Sequence, residues 1–392
     1  MGLIYKKHME RYIKMKKIIS ILLIAVMLLS LFAGCGKSET EESAAPESAA
    51  PESEAPESAG PTTTYDYAAA YAKYDPDYVV ATVNGLDVTW GEYFYWVKGI
   101  MEQVCAYVGT VDDFNEDFGG MSYADYFKAA AENNSRQYRA VEYHAAKEGI
   151  ELSQETLDAI AAQEEADIAA VSEDGTEEGL NKYLEGLYTT REVYDYVNRI
   201  AALYSEAAVY YCGENAEKVT DEETLEFAEL SGLMAAKHIL LKTVNDDNTH
   251  YTDDEKQAQY DLAMELIDRL NAGESMDALI KEYGQDPGAE AYPLGYCFGT
   301  GEMVTEFEEA VKALEVGEIT QEPVESSYGY HIIMKVAFDP EMVYTQQGVT
   351  IRQMAATNKY NSIINEWFIA SPIEYTEGFE LDFTETFKVI EA

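Results

Sequence analysis

Two histidines in short apolar segments are the residues of this chain best suited to do chemistry. The sequence holds only five His, and two of them lie inside such segments, His238 in 236–241 and His331 in 328–334. Both segments are typical of buried β-strands, in which alternate side chains share a face of the sheet. An imidazole can donate, accept or take up a proton near neutral pH. The pair is therefore either a polar site on one face of a sheet or two hydrogen-bonded core residues.

The chain between these histidines predicts the other elements of one small domain. Thr252 and Glu255 have the spacing of a capping box, and the helical pattern that follows ends at Gly273. A turn cluster at 286–288 then separates the helices from a short strand. The predicted order is strand, two or more helices, strand, helix and paired strands, with elements at 236–241, 252–273, 276–283, 294–298, 306–314 and 328–334.

This order and these residues resemble the parvulin (PpiC, or rotamase) family of peptidyl-prolyl cis-trans isomerases over residues 232–337. Parvulins often carry Gly-Gly-Asp-Leu-Gly before the middle strand. Here Pro293 stands at the Asp position, and only Leu294 and Gly295 match. Tyr328 stands where bacterial parvulins commonly have Phe. The matching pieces, in family order, are 236–240, 301–308, 314–319 and 328–333.

The resemblance implies an enzyme that needs no nucleophile, metal or cofactor. Rotation about a peptide bond faces a barrier of about 18–20 kcal/mol. A catalyst lowers it by holding the proline ring in an apolar slot and favouring the twisted amide with positioned dipoles. By resemblance, Leu294, Met303 and Phe307 bind the substrate by lining this slot. The residues implied as catalytic, beside the substrate carbonyl and in the polar network around it, are His238, Asp286, Ser326 and His331.

Some of these residues also have a purely structural interpretation. Met303 and Phe307 have helical spacing, which is more often a sign of core residues than of a pocket. Asp286 precedes Pro287 and Gly288, and Asp is a common turn former at such a position. The motif around them favours the functional interpretation.

The segment after the first strand indicates the class of substrate. Parvulins that select phosphorylated chains place a basic cluster there, because a phosphate needs cationic donors. Here Lys242 is followed by the polar and acidic segment 243–248. We therefore expect no phosphate selectivity, and we expect unfolded or newly secreted polypeptides with X-Pro bonds as partners.

The amino terminus predicts export and lipid anchoring. Lysines at positions 14, 16 and 17 precede the largely apolar run 18–32, which is shorter than the roughly 20 residues of a spanning helix. Ala33-Gly34-Cys35 follows and resembles a bacterial lipobox, so we expect residues 1–34 to be a lipoprotein signal peptide and Cys35 to be acylated. Residues 35–74, with three Pro-Glu-Ser units, predict a disordered acidic linker. The expected location is the extracytoplasmic face of the cell membrane.

The formal net charge of −46 excludes some classes of partner. A surface of this sign disfavours nucleic acid and polybasic contact with lipid headgroups. Cys105, Cys212 and Cys297 are an odd, widely spaced set, which argues against a disulfide framework. Cys297 is expected to be a small buried side chain.

Residues 75–230 predict a second, mostly helical domain. A hairpin with an Asn84-Gly85 turn precedes a helix that Thr89 and Glu92 open with capping-box spacing. This beginning resembles the amino-terminal chaperone domain of PrsA- and SurA-type foldases. In those families a helix from outside the isomerase domain packs on that region, and 350–368 could do so here, within a carboxy-terminal segment 339–392. Further helical patterns lie near 123–148, 153–171 and 190–211.

The expected fold class is α+β: a parvulin domain at 231–338, with a small antiparallel sheet surrounded by helices, joined to the helical domain. The expected function is that of a lipid-anchored extracytoplasmic peptidyl-prolyl isomerase, a foldase of secreted proteins. The alternative is a holdase chaperone whose parvulin-like domain grips clients without turnover.

Overall fold

The structure, a computed structural model, describes residues 64–172, 175–245, 247 and 249–390. The described chain divides into two compact units. The first is formed by residues up to 207 together with those from 364 onwards, and the second by 208–363. The predicted signal peptide and Cys35 lie outside the described residues. Within the described ranges, no helix combines the length and apolarity that crossing a membrane requires.

The second unit is built on a four-stranded antiparallel sheet in the order β5-β4-β7-β6. The long central strands β4 and β7 are the two apolar segments that carry the histidines. The elements wholly inside this unit are α7 (Asp221–Leu230), β4 (Met234–Lys242), α8 (Asp253–Asn271), α9 (Met276–Tyr283), β5 (Tyr296–Phe298), α10 (Thr305–Ala313), β6 (Val324–Glu325) and β7 (Gly329–Lys335).

Alternation along β4 and β7 gives this sheet two different faces. Ile239, Leu241 and Ile332 lie on one face and pack with the apolar side chains of α8 and α9. Ala236 and Ile333 are on the other face, which α10 covers. The histidines occupy this second face. Cys297 of β5 is fully buried, as predicted, and burial raises the pKa of its thiol to about 12.

The first unit is assembled from both ends of the described chain. Strand β8 near the carboxy terminus pairs with the β2–β3 hairpin, and β1 pairs with β9. The hairpin turn has Asn84 and Gly85 at positive φ (53° and 78°), as a two-residue Asn-Gly turn requires. The elements are β1 (Thr64–Tyr65), α1 (Tyr67–Tyr71), β2 (Val79–Val83), β3 (Leu86–Thr89), α2 (Trp90–Val108), α3 (Tyr123–Glu148), α4 (Gln154–Val171), α5 (Glu177–Gly186), β8 (Ile373–Tyr375), α12 (Phe383–Thr386) and β9 (Val389–Ile390), with the boundaries to the second unit inside α6 (Arg191–Cys212) and α11 (Ile351–Ile369).

Aromatic side chains fill the core of the first unit. Trp90, Tyr93 and Phe94 of α2 are fully buried, and the Phe94 ring packs against Tyr71 of α1 and against Phe387, just after α12. At the carboxy-terminal end of α11, Trp367 stacks on His144 of α3 with ring centroids 5.2 Å apart.

One buried ion pair lies beside this aromatic core. Glu92 is 1% exposed and binds the guanidinium of Arg139 on α3, which also stacks over the Tyr196 ring at 4.1 Å. The predicted capping box is therefore only half formed. Thr89 accepts a hydrogen bond from the Glu92 amide, while the Glu92 carboxylate turns inward to Arg139.

Most elements predicted from the sequence are confirmed, and so is the α+β class. The α8 helix begins with a complete capping box from Thr252 and Glu255. Two differences stand out. Helix α5 was not predicted, and residues 64–71, placed in the linker, form β1 and α1 because Tyr65, Tyr67 and Ala70 are buried in the aromatic core. The domain boundaries at 230 and 338 fall within the second unit and stay predictions.

Candidate active site

The two strand histidines meet on one face of the second unit's sheet. His238 pairs with Ile333 and His331 with Leu240, so the two imidazoles are diagonal neighbours across β4 and β7. Their rings lie nearly parallel with centroids 5.2 Å apart, and the two Nδ1 atoms are 3.0 Å apart. Both side chains are buried. The strand register, set by the apolar residues on either side, is what brings them together.

A hydrogen-bonded chain extends from this pair in both directions. Ser326, just after β6, has its Oγ 2.7 Å from His331 Nε2. Asp286, in the loop after α9, has its Oδ2 3.0 Å from His238 Nε2. The structure therefore places the four residues predicted as catalytic in one continuous line, Ser326–His331–His238–Asp286. Their roles in turnover stay a prediction.

Backbone contacts hold Asp286 in this position. The Gln285 amide donates to the Leu240 carbonyl of β4 at 3.0 Å, and the Gln285 side chain accepts from the Lys242 amide at 2.8 Å. The loop is thus fastened to β4 beyond the end of β5. The Gly288 amide donates to Asp286 Oδ1 at 3.2 Å, so the carboxylate also closes its own turn. Asp286 therefore both stabilises its own turn and belongs to the polar site.

The charges of the chain follow from burial and hydrogen bonding. Burial alone raises the pKa of Asp286, but hydrogen bonds from His238 and Tyr296 outweigh it and hold that pKa at about 2. Burial lowers the pKa of His331 to about 4, and neighbouring His238 acts in the same direction. At neutral pH, Asp286 is therefore an anion that only accepts hydrogen bonds, and His331 is a neutral ring.

The charge of Asp286 fixes the direction of one hydrogen bond, and the directions of the other two depend on whether His238 is neutral or protonated. Asp286 can only accept, so His238 carries a proton on Nε2. With His238 neutral, its Nδ1 accepts from His331 Nδ1–H, and His331 Nε2 accepts from the Ser326 hydroxyl. With His238 protonated, both bonds reverse, and the Ser326 hydroxyl becomes an acceptor. A proton added to His238 thus changes the hydrogen bonding of the Ser326 hydroxyl, which is connected to His238 through His331.

An apolar wall stands beside the polar chain. Phe307 of α10 is 3% exposed and packs nearly perpendicular to both imidazoles, with ring centroids 5.1 Å from His238 and 5.7 Å from His331. Met303 is partly buried in the same cluster. Leu294, before β5, is the most exposed of the three predicted slot residues, at 39%. Phe307 is therefore both a core residue and a neighbour of the histidines.

Two glutamates that were not predicted hold the loop that carries Met303. Glu302 accepts from the Gly299 amide at 2.6 Å and also binds the Tyr344 hydroxyl. Glu308, buried on α10, accepts from the Gly301 amide at 2.6 Å and pairs with Lys312. Their spacing to the glycines is a local signal that could have indicated a fixed loop.

Tyr296 is the other member of the site that sequence reasoning missed. Its hydroxyl donates to Asp286 Oδ2, the same oxygen that His238 contacts. Tyr296 lies two residues after Leu294, at the first position of β5. From the sequence it is indistinguishable from any aromatic residue in a β-strand. No local pattern pairs it with Asp286, ten residues earlier.

We expect His331 to stay neutral well below the pH at which a free histidine charges. Since its folded pKa is lowered to about 4 from the usual 6.5, its contribution to stability is present above pH 6.5 and is lost as the pH falls through 4. Titration of the ¹⁵N-histidine-labelled full chain by NMR, with His331→Gln as the assignment control, measures this. A His331 midpoint above pH 6 would contradict the burial argument.

Comparison with known proteins supports the resemblance of this region to peptidyl-prolyl isomerases. The Rotamase family, described as a PPIC-type PPIASE domain, matches residues 238–337. The foldase protein PrsA of Caldanaerobacter subterraneus subsp. tengcongensis is 29% identical over 295 residues, which cover 74% of this chain and 82% of that protein. The PrsA of Geobacillus kaustophilus is 42% identical over 119 residues, 30% of this chain and 36% of that protein.

Two further likenesses widen the comparison. The chaperone SurA of Chromohalobacter salexigens is 36% identical over 134 residues, 33% of this chain and 29% of that protein. The crystal structure of PrsA from Bacillus subtilis is 20% identical with a TM-score of 0.25, covering 75% of this chain and 91% of that one. With the dual-histidine sheet described above, the family match identifies residues 238–337 as a PPIC-type peptidyl-prolyl isomerase domain, and the chain is similar to the foldase protein PrsA over 74% of its length.

Proposed function

We propose that this protein is a lipid-anchored foldase on the extracytoplasmic face of the cell membrane, where it isomerises X-Pro bonds of newly secreted polypeptides. The observation that carries the catalytic part is the unbroken chain Ser326–His331–His238–Asp286, with Phe307 against both imidazoles. The foldase and chaperone names of the relatives support unfolded polypeptides as substrates. The anchor and the location rest on the amino-terminal sequence.

Catalysis in this proposal is non-covalent. The substrate proline ring lies against Leu294, Met303 and Phe307, and its preceding carbonyl lies towards the polar chain. As the amide twists, resonance is lost and the charge on its oxygen and nitrogen changes. Fixed dipoles and the anionic Asp286 favour that charge distribution without reorganising, since they are already bound to one another. This chemistry requires only an apolar surface that binds the proline ring and a set of prearranged polar groups beside the amide.

The test is a protease-free isomerisation assay on the full chain. Exchange NMR on a short X-Pro peptide measures the cis-trans rate with and without the protein, against an uncatalysed time of tens to hundreds of seconds. Acceleration at substoichiometric protein supports an enzyme. Absence of acceleration, together with suppressed aggregation of an unfolded client protein, would favour the holdase alternative. The aggregation measurement is needed because the exposed Leu294 side chain could bind an unfolded polypeptide without any isomerisation of its X-Pro bonds.

We expect Cys35→Ala to release the protein from membranes. The thioether-linked lipid is the only anchor that the proposal assigns, and without the cysteine there is no acceptor for it. Fractionation of cells that express the chain, with metabolic labelling by an alkynyl fatty acid, measures both attachment and acylation. Cys105→Ala is the matched control and should stay lipid-labelled. Labelling that persists in Cys35→Ala would rule out this anchor.

A further inference from the structure

Tyr296 shares one carboxylate oxygen with the catalytic-site histidine. Both the Tyr296 hydroxyl and His238 Nε2 bind Asp286 Oδ2, whereas Oδ1 is bound by the Gly288 amide. The Tyr296 ring also packs edge-on against the His238 ring at 5.4 Å. Burial, followed by the contact with Asp286, raises the pKa of Tyr296 well above its usual value, so the hydroxyl keeps its proton and is the donor.

The backbone is shaped around this contact. A Cβ on Gly288 would collide with the Tyr296 hydroxyl, so the close approach requires glycine there. Gly295, at φ +110°, passes so close to β4 that a Cβ would lie 3.0 Å from the Ala236 carbonyl oxygen. These two glycines allow Tyr296 to start β5 directly beside Asp286. The contact is thus part of how the loop and the strand pack.

Because Oδ2 accepts from both donors, the Tyr296 hydroxyl fixes where the carboxylate lies relative to His238 Nε2. Hydrogen bonds to a charged group are strong and directional, so losing one of them frees the carboxylate to move. The charged or titratable groups that face His238 are Asp286, His331 and Tyr296, and the neighbouring α10 presents the uncharged Phe307. Lys237 is paired with Asp277 on the opposite face of β4.

We propose that Tyr296 is a positioning residue of the isomerase site, which holds the shared Asp286 oxygen against His238 Nε2 and so orders the hydrogen bonds from His238 through His331 to Ser326. This inference rests on the proposed isomerase function, and it adds to it a residue that acts on the polar chain from outside. Tyr296 does not touch the substrate in this arrangement. Its effect reaches the reaction through the charge and orientation of Asp286.

The test is Tyr296→Phe in the full chain, which keeps the ring and removes only the hydroxyl. With ¹⁵N-histidine labelling, five imidazoles are followed between pH 5 and 8. We expect the ¹⁵N shifts of the His238 ring nitrogens, which report the His238 tautomer and its bond to Asp286, to change. The value of kcat/KM should fall by about tenfold, the size of one hydrogen bond to a charged group. Gly288→Ala, which displaces the hydroxyl sterically, should shift both in the same direction.

Tyr292→Phe is the matched control. Its ring packs on Tyr296 at 4.7 Å, and it leaves the Tyr296 hydroxyl and Asp286 untouched. Unchanged His238 ring shifts in Tyr296→Phe, or an equal change in Tyr292→Phe, would overturn the inference. Changed ring shifts with an unchanged kcat/KM would overturn the positioning role. If the unmodified chain does not isomerise peptides, the proposed function fails, while the comparison of the ring shifts still decides the Tyr296 contact.

Discussion

The Met303→Ala/Phe307→Ala variant is expected to lose roughly a hundredfold in kcat/KM for X-Pro isomerisation, equivalent to about 3 kcal/mol of transition-state binding. Met303 and Phe307 form the proposed proline slot, and Phe307 also fixes both imidazoles by edge contacts. The exchange NMR assay at saturating and subsaturating peptide separates kcat from KM. We expect kcat to fall and KM to rise, because both the binding of proline and the orientation of the two imidazoles depend on the Phe307 ring.

Loss of packing has to be separated from loss of the slot. Phe307 is buried, and a Phe→Ala change in a core costs about 3–5 kcal/mol of stability. Val311→Ala is the matched control, because Val311 is fully buried one turn along α10 in the same cluster. It should destabilise the unit while leaving turnover of the folded protein close to normal. Equal activity in the double variant and the unmodified chain would refute the slot assignment.

Arg139→Met is expected to destabilise the first unit by about 3–5 kcal/mol at pH 8, because it leaves a buried carboxylate without its counter-ion. Glu92 is 1% exposed and Arg139 is the cation that binds it. Methionine keeps most of the volume of the arginine stem, so the change removes mainly charge. Urea unfolding of the full chain, followed by far-UV circular dichroism, measures the loss.

The pH dependence gives this prediction a second signature. Burial raises the pKa of Glu92 to about 7, even though Arg139 opposes the rise. A carboxyl with a raised folded pKa contributes stability that is present below pH 4.5 and is lost as the pH rises through 7. The Arg139→Met variant should therefore recover much of its stability at pH 5, where Glu92 is neutral.

Glu142→Gln is the control for this pair. Glu142 is the second, more exposed carboxylate on Arg139, at 2.7 Å, and its loss should cost less than about 1 kcal/mol. A similar loss for Glu142→Gln and Arg139→Met would contradict the assignment of Glu92 as the critical partner. A loss for Arg139→Met that is independent of pH would contradict it as well.

Features with a local physical cause could be predicted from the sequence. The Thr252–Glu255 capping box, the Asn84-Gly85 turn and the apolar alternation of β4 and β7 each depend on a few neighbouring residues, and each is present in the structure. Helix α5 was missed because it is short and lies in a polar stretch. The pairing of β2 with β8 was missed because nothing near either strand marks its partner.

The candidate site divides in the same way. His238 and His331 were found because a histidine inside an apolar strand is conspicuous, and the family resemblance supplied Asp286 and Ser326. Tyr296 could not be inferred, because its role depends on the close passage that Gly288 and Gly295 permit. Glu92 was assigned to a helix cap from its spacing, whereas a long-range partner, Arg139, decides where its carboxylate goes. Tertiary contacts override a local signal here.

The sheet of the first unit has a consequence for the order in which the chain acquires structure. Ala81 of β2 pairs with Tyr375 of β8, and Tyr65 of β1 with Val389 of β9, so these ladders join residues close to opposite ends of the described chain. The ladders of the four-stranded sheet lie between residues 234 and 335. Loops this different in length favour early closure of the shorter ones. During synthesis, the isomerase sheet can therefore be complete while β2 still presents an open edge, and the first unit completes its sheets only after β8 and β9 have been made.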